Sequence, residues 1–346
     1  MSLSNSTMLV PLSAIYSAVT RARLAAYGRG LFSISKLPAL VISVGNLTTG
    51  GTGKTPLVEW VCRQVVNEGK RVCVLTRGYG RVNPGTQVVV SNGAEILTNE
   101  REAGDEPFLL AQNLLGTAAV ICNPNRLQAG LWAIENLGTQ IFVLDDGFQY
   151  LRLWRDLNIV TIDATDPWGG GSMLPQGRLR EPRKSLSRAD CVVMTRTDLN
   201  EDVNAIKGVV QGLAHDIPVF TSRMLTTSLR NLKGEPVIFP VEPAGAFCGV
   251  GNPESFFNQL RRERYAPVFT RAFADHYQYK QTDVDALVRE AKAHVAKSLI
   301  TTAKDAVKMR SLYFPIPCYV LEIQISIDEE GQLVKLLRDA VSKAGN

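Results

Sequence analysis

The segment TTGGTGKT, residues 48–55, has the residue types and spacing of a phosphate-binding loop. It follows an apolar run and precedes a helical pattern, the context in which backbone N–H groups and a helix N-terminus bind phosphate. Lys54 would then reach the β- and γ-phosphates and the Thr55 hydroxyl would bind Mg²⁺. The alternative, a glycine-rich turn without a ligand, does not explain the Lys-Thr pair. The residues predicted to bind nucleotide are Thr48, Thr49, Gly50, Gly51, Thr52, Gly53, Lys54 and Thr55.

Two pairs of acidic residues could hold a metal ion or move a proton. Asp145 and Asp146 end the apolar run QIFVLD, so we expect them at the carboxyl edge of a sheet beside the glycine loop. Asp105 and Glu106 begin a helical pattern, where capping is the alternative role. We predict that Thr55, Asp105, Glu106 and Asp145 bind the metal ion.

Arginines and one histidine could complete such a site. Arg77 and Arg81 in TRGYGR follow a predicted strand and could bind a phosphate of nucleotide or substrate. His276 lies between a strand and a helix, where it could face the cleft or be structural. The other two histidines, His215 and His294, fall near helix ends and are predicted at the surface.

The elements that must position these residues alternate between strand and helix. This alternation, with nearly continuous apolar strands, predicts a P-loop NTPase-like parallel α/β sheet flanked by helices. We assign residues 1–220 to this domain, 221–243 to an extended hairpin linker and 244–346 to a smaller α/β domain. Strands are predicted at 39–44, 71–76, 118–122, 140–145, 157–163, 190–195 and 217–220, and in the smaller domain at 246–251, 266–270, 298–302 and 317–322. Helices are predicted at 55–68, 105–115, 125–136 and 201–214, and then at 253–263, 282–294 and 329–343.

The N-terminal segment is basic and amphipathic. Residues 1–58 contain no Asp or Glu, and Leu12, Ile15, Tyr16 and Val19 share one face of a predicted helix. This helix is predicted to have Pro11 in its first turn and to end near residues 28–30. Such a helix could lie on an anionic membrane surface or pack on its own domain.

Composition excludes several other classes of protein. The chain has 346 residues, a formal charge of +5 and no apolar run of the ~20 residues that span a bilayer. Its first residues do not resemble a secretion signal. The six cysteines have neither zinc-site nor disulfide spacing, so buried reduced thiols are expected. No basic repeat with interleaved aromatic residues indicates nucleic-acid binding.

Taken together, these motifs resemble one family, the tetraacyldisaccharide 4'-kinases, which are the lipid A kinases of Gram-negative bacteria. The resemblance covers nearly the whole chain from about residue 11. It implies transfer of the ATP γ-phosphate to the 4'-hydroxyl of a tetraacylated glucosamine disaccharide 1-phosphate, with Mg²⁺. It also implies a peripheral position on the cytoplasmic face of the inner membrane, and no protein partner is implied. The segments that carry it are PLSAIYSAV, VISVGNLTTGGTGKTP, TRGYGR, GDEP, NR at 125–126, LDDGFQ, LREP at 179–182, FADHYQY and TTAKDAVK.

Matched residue by residue, the resemblance assigns roles in catalysis. It implies that Lys54 binds nucleotide, that Asp105 is a metal contact or general base, and that Asp146 pairs with His276. These four are the predicted catalytic residues. Arg180 and Glu181 of LREP match positions near the site and, with Arg77 and Arg81, are predicted to contact substrate.

Three positions depart from the patterns used above. Thr48 stands where the phosphate-binding loop usually begins with glycine, Tyr150 stands where the family usually has histidine, and Ala303 stands where it usually has glutamate. Any role of that histidine or glutamate is therefore not carried over to this chain.

Two other classes of P-loop protein are the alternatives. A GTPase is disfavoured because VVMTRTD, residues 192–198, has arginine where the guanine-reading motif needs lysine, and because DDGF supplies no D-x-x-G. A ParA/MinD-like membrane ATPase, acting as a partner-binding switch, needs a lysine where Thr49 stands. Nucleotide preference and the need for a lipid acceptor would separate these classes from the kinase.

Overall fold

The computed structural model describes residues 3–344, and their side chains from residue 9 to residue 343. Its thirteen strands are β1 Leu40–Asn46, β2 Val72–Thr76, β3 Val88–Ser91, β4 Ala118–Cys122, β5 Ile141–Asp145, β6 Leu157–Asp163, β7 Cys191–Thr195, β8 Val219–Asn231, β9 Pro236–Val237, β10 Ala244–Cys248, β11 Thr270–Ala272, β12 Ser298–Thr302 and β13 Cys318–Ile327. Its ten α-helices are α1 Leu3–Gly28, α2 Lys54–Val66, α3 Glu100–Ala103, α4 Asp105–Asn113, α5 Arg126–Leu137, α6 Val203–Leu213, α7 Pro253–Arg262, α8 Gln281–Ala293, α9 Ala303–Val307 and α10 Glu330–Ala344.

All strands belong to one sheet, in the order β11-β10-β12-β13-β8-β7-β6-β1-β5-β2-β4-β3, with β9 paired to β8. Strands β1, β2 and β4 to β7 pair in parallel, and their burial on both sides explains their continuous apolar sequences. The prediction of a parallel α/β sheet flanked by helices is confirmed. The six cysteines are buried and unpaired, as composition suggested.

Strand β8 connects the two lobes of the molecule. Its first residues pair in parallel with β7, and the following residues pair antiparallel with β13. Residues 221–231 therefore lie within the sheet, and a turn at Gly234 leads into β9. Strand β8 crosses the predicted boundary at residue 220. The division into domains at residues 220 and 243 stays a prediction.

The C-terminal helix returns to the first lobe. Leu333 and Leu337 on α10 are buried in the same cluster as Val61 on α2, and Arg338 donates a hydrogen bond to Glu68. The final helix therefore packs on the first lobe, although it was assigned to the smaller domain by its place in the sequence.

Helix α1 differs from its predicted start. It begins at Leu3, so Pro11 lies inside it and not in its first turn. The buried Ser13 hydroxyl donates to the Met173 carbonyl at 2.8 Å, and Tyr16 donates to the Arg180 carbonyl at 3.1 Å. These contacts with the body of the protein stabilise the helix against the local effect of proline.

Candidate active site

The phosphate-binding loop joins β1 to α2 and is held by buried side chains. Asn46 donates to the Thr52 hydroxyl at 2.8 Å, and that hydroxyl also bonds Thr161 at 2.9 Å. Gly53 caps α2 with φ 78°, and a Cβ there would lie 2.8 Å from the Met224 methyl carbon. Glycine is therefore required both by conformation and by space.

The outer side of the loop is fixed by two arginines. The Thr49 N–H donates to the Arg178 carbonyl at 2.8 Å, and Arg196 donates to the Gly51 carbonyl at 2.8 Å. Arg196 is also paired with Asp163 at the end of β6. The loop is thus held in shape, with its N–H groups at the N-terminus of α2.

Asp145 and Asp146 lie at the carboxyl end of β5, but their surroundings differ. Asp145 accepts from Thr76 at 3.0 Å, and burial, with the negative charges of Glu106 and Asp146, raises its pKa to about 6. Burial also opposes ionisation of Asp146, but Lys54 and Arg180 outweigh it and lower its pKa well below the usual range. Asp146 is therefore a carboxylate at neutral pH, whereas Asp145 gains from any nearby cation.

The resemblance implied that Asp146 pairs with His276, but the structure does not contain this pair. The φ of Asp146, 54°, turns it toward the glycine loop, where Arg180 binds both carboxylate oxygens at 2.7 Å and Lys54 Nζ lies 3.6 Å away. His276 Nδ1 instead lies 3.0 Å from Oδ2 of Asp105, at the start of α4. The aspartate–histidine pair is present, but its aspartate is Asp105.

The Asp105–His276 pair joins the two lobes and is electrostatically coupled. The hydrogen bond to Asp105 raises the pKa of His276, against burial and the charge of Lys304. Burial opposes ionisation of Asp105, but His276 and Lys304 outweigh it and lower its pKa. Both partners are thereby favoured in their charged forms.

Lys304 connects the same region to the first lobe. Its ammonium lies 2.9 Å from Glu106, 3.2 Å from Asp275 and 3.3 Å from Nε2 of His276. Glu106, predicted as a metal ligand, is therefore engaged with Lys304. Burial opposes the charge on Lys304, but Glu106 and Asp275 outweigh it and raise its pKa.

The residues predicted to contact substrate have different environments. Arg77 is exposed, and its guanidinium has no ion-pair partner within residues 9–343. Arg81 is buried and donates to the carbonyls of Pro84 and Cys122, so it supports the loop and does not face the cleft. Arg180 is held by Asp146, and the buried Glu181 pairs with Arg188. Arg81 and Arg180 are therefore engaged within the protein, and the substrate role of Arg77 stays a prediction.

The residues at the loop fit a nucleotide with its metal ion. The Thr55 hydroxyl at the start of α2 makes no side-chain hydrogen bond among the described residues, and Asp145 lies nearby in the sheet as a second hard oxygen donor. No group of three acidic, histidine or cysteine side chains is close enough to hold a metal within the described part of the chain.

A cavity of about 950 Å³ adjoins the outer side of the glycine loop. It lies between the short 3₁₀ helix 197–199 and the start of α7, and Arg178 and Gly251 are among its lining residues. Gly251 comes close to the loop, since a Cβ there would lie 3.2 Å from the Gly51 nitrogen.

The outward face of α1 is apolar and exposed. Leu12, Ile15 and Val19 are 54%, 62% and 63% exposed, and Leu31 and Phe32 continue this surface beyond the helix. Tyr16, predicted on the same face, is half-buried against the body. Among residues 3–344, no helix is sufficiently long and apolar to cross a bilayer.

Sequence reasoning missed four residues around the site: Arg126, Lys304, Asp275 and Arg196. Three of them lie inside the motifs quoted above: Arg126 in NR at 125–126, Asp275 in FADHYQY directly before the chosen histidine, and Lys304 in TTAKDAVK. A search for charged residues within the quoted motifs could have found these three. Arg196 was read as evidence against a GTPase and not as a support of the loop.

The chain is similar to known proteins along nearly its whole length. A family model described as Tetraacyldisaccharide-1-P 4'-kinase (LpxK) matches residues 5–342. A tetraacyldisaccharide 4'-kinase of Geobacter sulfurreducens is 42% identical over 322 residues, which cover 90% of this chain and 87% of that protein. One from Chlorobium phaeovibrioides is 34% identical, covering 98% of both chains. The crystal structure of Aquifex aeolicus LpxK in complex with ATP superposes with a TM-score of 0.78, at 31% identity, over 97% of this chain and 99% of that one.

Proposed function

The chain belongs to the tetraacyldisaccharide-1-P 4'-kinase family, and from this we propose that it transfers the γ-phosphate of ATP to the 4'-hydroxyl of a tetraacylated glucosamine disaccharide 1-phosphate. One observation carries the proposal: the glycine loop, through Lys54, and the Asp105–His276 pair lie at the same edge of the sheet. A partner-binding ATPase switch of the ParA/MinD type is not favoured, because the family match covers residues 5–342.

In this proposal the loop and its basic neighbours position the phosphates. The N–H groups of residues 50–55 and the N-terminus of α2 face the β- and γ-phosphates. Lys54 neutralises charge on the transferred group, and Arg180 holds Asp146 so that Lys54 stays in place. The cavity beside the loop is of the size and location that suit the nucleoside.

Asp105 is the proposed general base. Its hydrogen bond from His276 fixes its orientation, and its lowered pKa keeps it in the carboxylate form at neutral pH. As the 4'-oxygen bonds to the γ-phosphorus, its proton passes to Asp105 and the bond to the β-phosphate oxygen breaks, which releases ADP. Lys304, by holding Glu106 and Asp275, keeps the two lobes together around this step.

The residues proposed to hold Mg²⁺ are Thr55 and Asp145. When bound there, the ion would neutralise developing charge on the phosphate oxygens. Asp105 and Glu106 stay predicted ligands, although His276 and Lys304 respectively engage them.

The acceptor and the exposed face of α1 together support a peripheral position at a membrane. Four acyl chains are costly to withdraw into water, at about 0.8 kcal/mol per CH₂. The exposed apolar residues of α1 and the basic residues around them suit an anionic bilayer surface. We propose the cytoplasmic face of the inner membrane of a Gram-negative bacterium.

The test is a transfer assay with γ-labelled ATP, Mg²⁺ and detergent-dispersed tetraacyl disaccharide 1-phosphate. The unaltered chain should label the lipid, and Lys54→Ala and Asp146→Asn should each lower the rate by about 100-fold or more. Tyr313→Phe, at an exposed tyrosine, is the matched control and should be unaffected. ATP hydrolysis without labelled lipid would contradict the proposal and favour the ATPase switch.

A further inference from the structure

Arg126 is a buried cation at the carboxyl edge of the sheet, without an anionic partner among residues 9–343. The residue is 6% exposed, and within the described part of the chain its side chain makes one hydrogen bond, to the Pro124 carbonyl at 3.2 Å. No carboxylate lies within ion-pair distance of it in the described part of the chain. Buried arginines usually pair with an anion, because an unpaired buried charge is costly.

Tyr150 holds this arginine in two ways. The Arg126 guanidinium carbon lies 4.8 Å from the centre of the Tyr150 ring, within cation–π distance. The backbone N–H of Arg126 donates to the Tyr150 hydroxyl at 3.1 Å, which fixes the start of α5. Tyr150 itself is fixed by the turn after β5, where its N–H donates to the Gly147 carbonyl at 2.9 Å.

The pair lies at the same edge of the sheet as the acidic residues of the site. Arg126 begins α5, after β4, and Thr76 of the neighbouring β2 donates to Asp145. The charges of Asp145 and Asp146 act on Arg126 from the same edge. A cavity of about 350 Å³ beside the pair is lined by Asn125, Tyr150 and the exposed Arg152.

We propose that Arg126 binds a terminal phosphate group and that Tyr150 is the residue that positions it. The planar guanidinium can bind two phosphate oxygens at once, and stacking on Tyr150 fixes the plane from which it donates. The phosphate is either the γ-phosphate of ATP or the phosphate carried by the acceptor. The inference rests on the proposed function for the identity of these two sources.

The experiment uses the full chain with Arg126→Ala, Tyr150→Leu, Tyr150→Phe and the Tyr150→Leu/Arg126→Ala double variant. One arm measures the Kd of ADP and of a non-hydrolysable ATP analogue by calorimetry, without acceptor. The other arm measures kcat and KM for the acceptor with and without its 1-phosphate. Tyr313→Phe is the matched control, and thermal unfolding verifies that each variant is folded.

Arg126→Ala should weaken one interaction by about 100-fold. If the source is ATP, the analogue loses affinity and ADP does not. If it is the acceptor, KM rises for the phosphorylated acceptor alone. In either case Tyr150→Leu should weaken the same interaction by about 10-fold and Tyr150→Phe by about 3-fold. The double variant should match Arg126→Ala, since Tyr150 acts through the arginine.

Two outcomes would overturn the positioning role of Tyr150. One is a loss of affinity in the double variant that equals the sum of the losses in the two single variants. The other is that Arg126→Ala and Tyr150→Leu weaken the binding of different ligands. Unchanged binding and kinetics in Arg126→Ala would overturn the phosphate site. If Tyr150→Leu fails to fold, the comparison is made with Tyr150→Phe. Unchanged ligand binding and kinetics in Tyr150→Phe would then overturn the positioning role of Tyr150. A failure of the proposed function is distinguishable, because the unaltered chain would then bind ATP but phosphorylate neither acceptor.

Discussion

At the scale of single residues, Asp145 is a carboxylate held at a cost in stability. Its pKa is raised to about 6, so the folded state binds a proton that the unfolded state has already released, and stability falls as the pH rises from about 4 through about 6. Asp145→Asn should therefore stabilise the nucleotide-free protein by about 2 kcal/mol at pH 8, while it removes phosphate transfer. Urea unfolding at pH 5 and pH 8 measures this.

The control for Asp145→Asn is Asp339→Asn, at an exposed position on α10. This variant should leave both stability and transfer unchanged. Lower stability of Asp145→Asn at pH 8, or equal effects of the substitution at pH 5 and pH 8, would contradict the interpretation of Asp145 as a site prepared for a cation.

The Asp105–His276 pair predicts a pH window of its own. The raised pKa of His276 gives stability that is present at low pH and lost as the pH rises through that pKa, whereas the lowered pKa of Asp105 gives stability that is lost as the pH falls through it. His276→Gln should therefore destabilise by about 0.5–1 kcal/mol at pH 6 and by less at pH 9. Urea unfolding of both proteins at these pH values measures the difference, and His294→Gln is the control. An equal loss at both pH values would exclude an ionic contribution.

At the scale of elements, α1 uses its two faces differently. Ser13 and Tyr16 bind it to the body, whereas Ile15 and Val19 point outward and contribute little to folding. The double variant Ile15→Gln/Val19→Gln should keep the unfolding free energy within about 0.5 kcal/mol. It should weaken binding to anionic vesicles by about 10-fold or more, because two apolar side chains no longer enter the interface. Vesicle sedimentation measures this binding.

The matched control is Val209→Gln, which removes an exposed apolar side chain from α6. Vesicle binding should be unchanged in this variant. Equal losses in both proteins would show that general hydrophobicity, and not α1, determines binding.

At the scale of the whole molecule, the lobes meet where Gly251 approaches the glycine loop. A Cβ at this position would lie 3.2 Å from the Gly51 nitrogen and 3.1 Å from an oxygen of Asp275. Gly251→Val should therefore separate the lobes and lower transfer by at least about 10-fold, since a displacement near 1 Å disturbs positioned groups. Small-angle scattering and the transfer assay measure the two effects.

Gly331→Ala is the matched control, since the space around this helical glycine is open among the described residues. It should leave the rate and the scattering profile unchanged. A fully active Gly251→Val protein would mean that close approach of the lobes is not needed for transfer.

The sequence is informative about the site where function depends on neighbours in the chain. The strand before the glycine loop and the strand before Asp145 and Asp146 were predicted correctly. Apolar runs, and the glycine and turn residues that end them, are signals within a short stretch of sequence. The partner of His276 was not, because the distance between α4 and the loop at residue 276 depends on how the two lobes pack. The return of α10 to the first lobe was missed for the same reason, although its helical pattern was clear.

The continuous sheet also affects how the protein avoids association with copies of itself. Two separate sheets would present four edges, whereas joining the lobes through β8 leaves β3 and β11 at the ends of the order, with the two-residue β9 beside β8. In the described chain these terminal strands have only four and three residues. Short edges are poor templates for pairing with another chain. A protein with an exposed apolar helix thus limits backbone-driven aggregation through its topology.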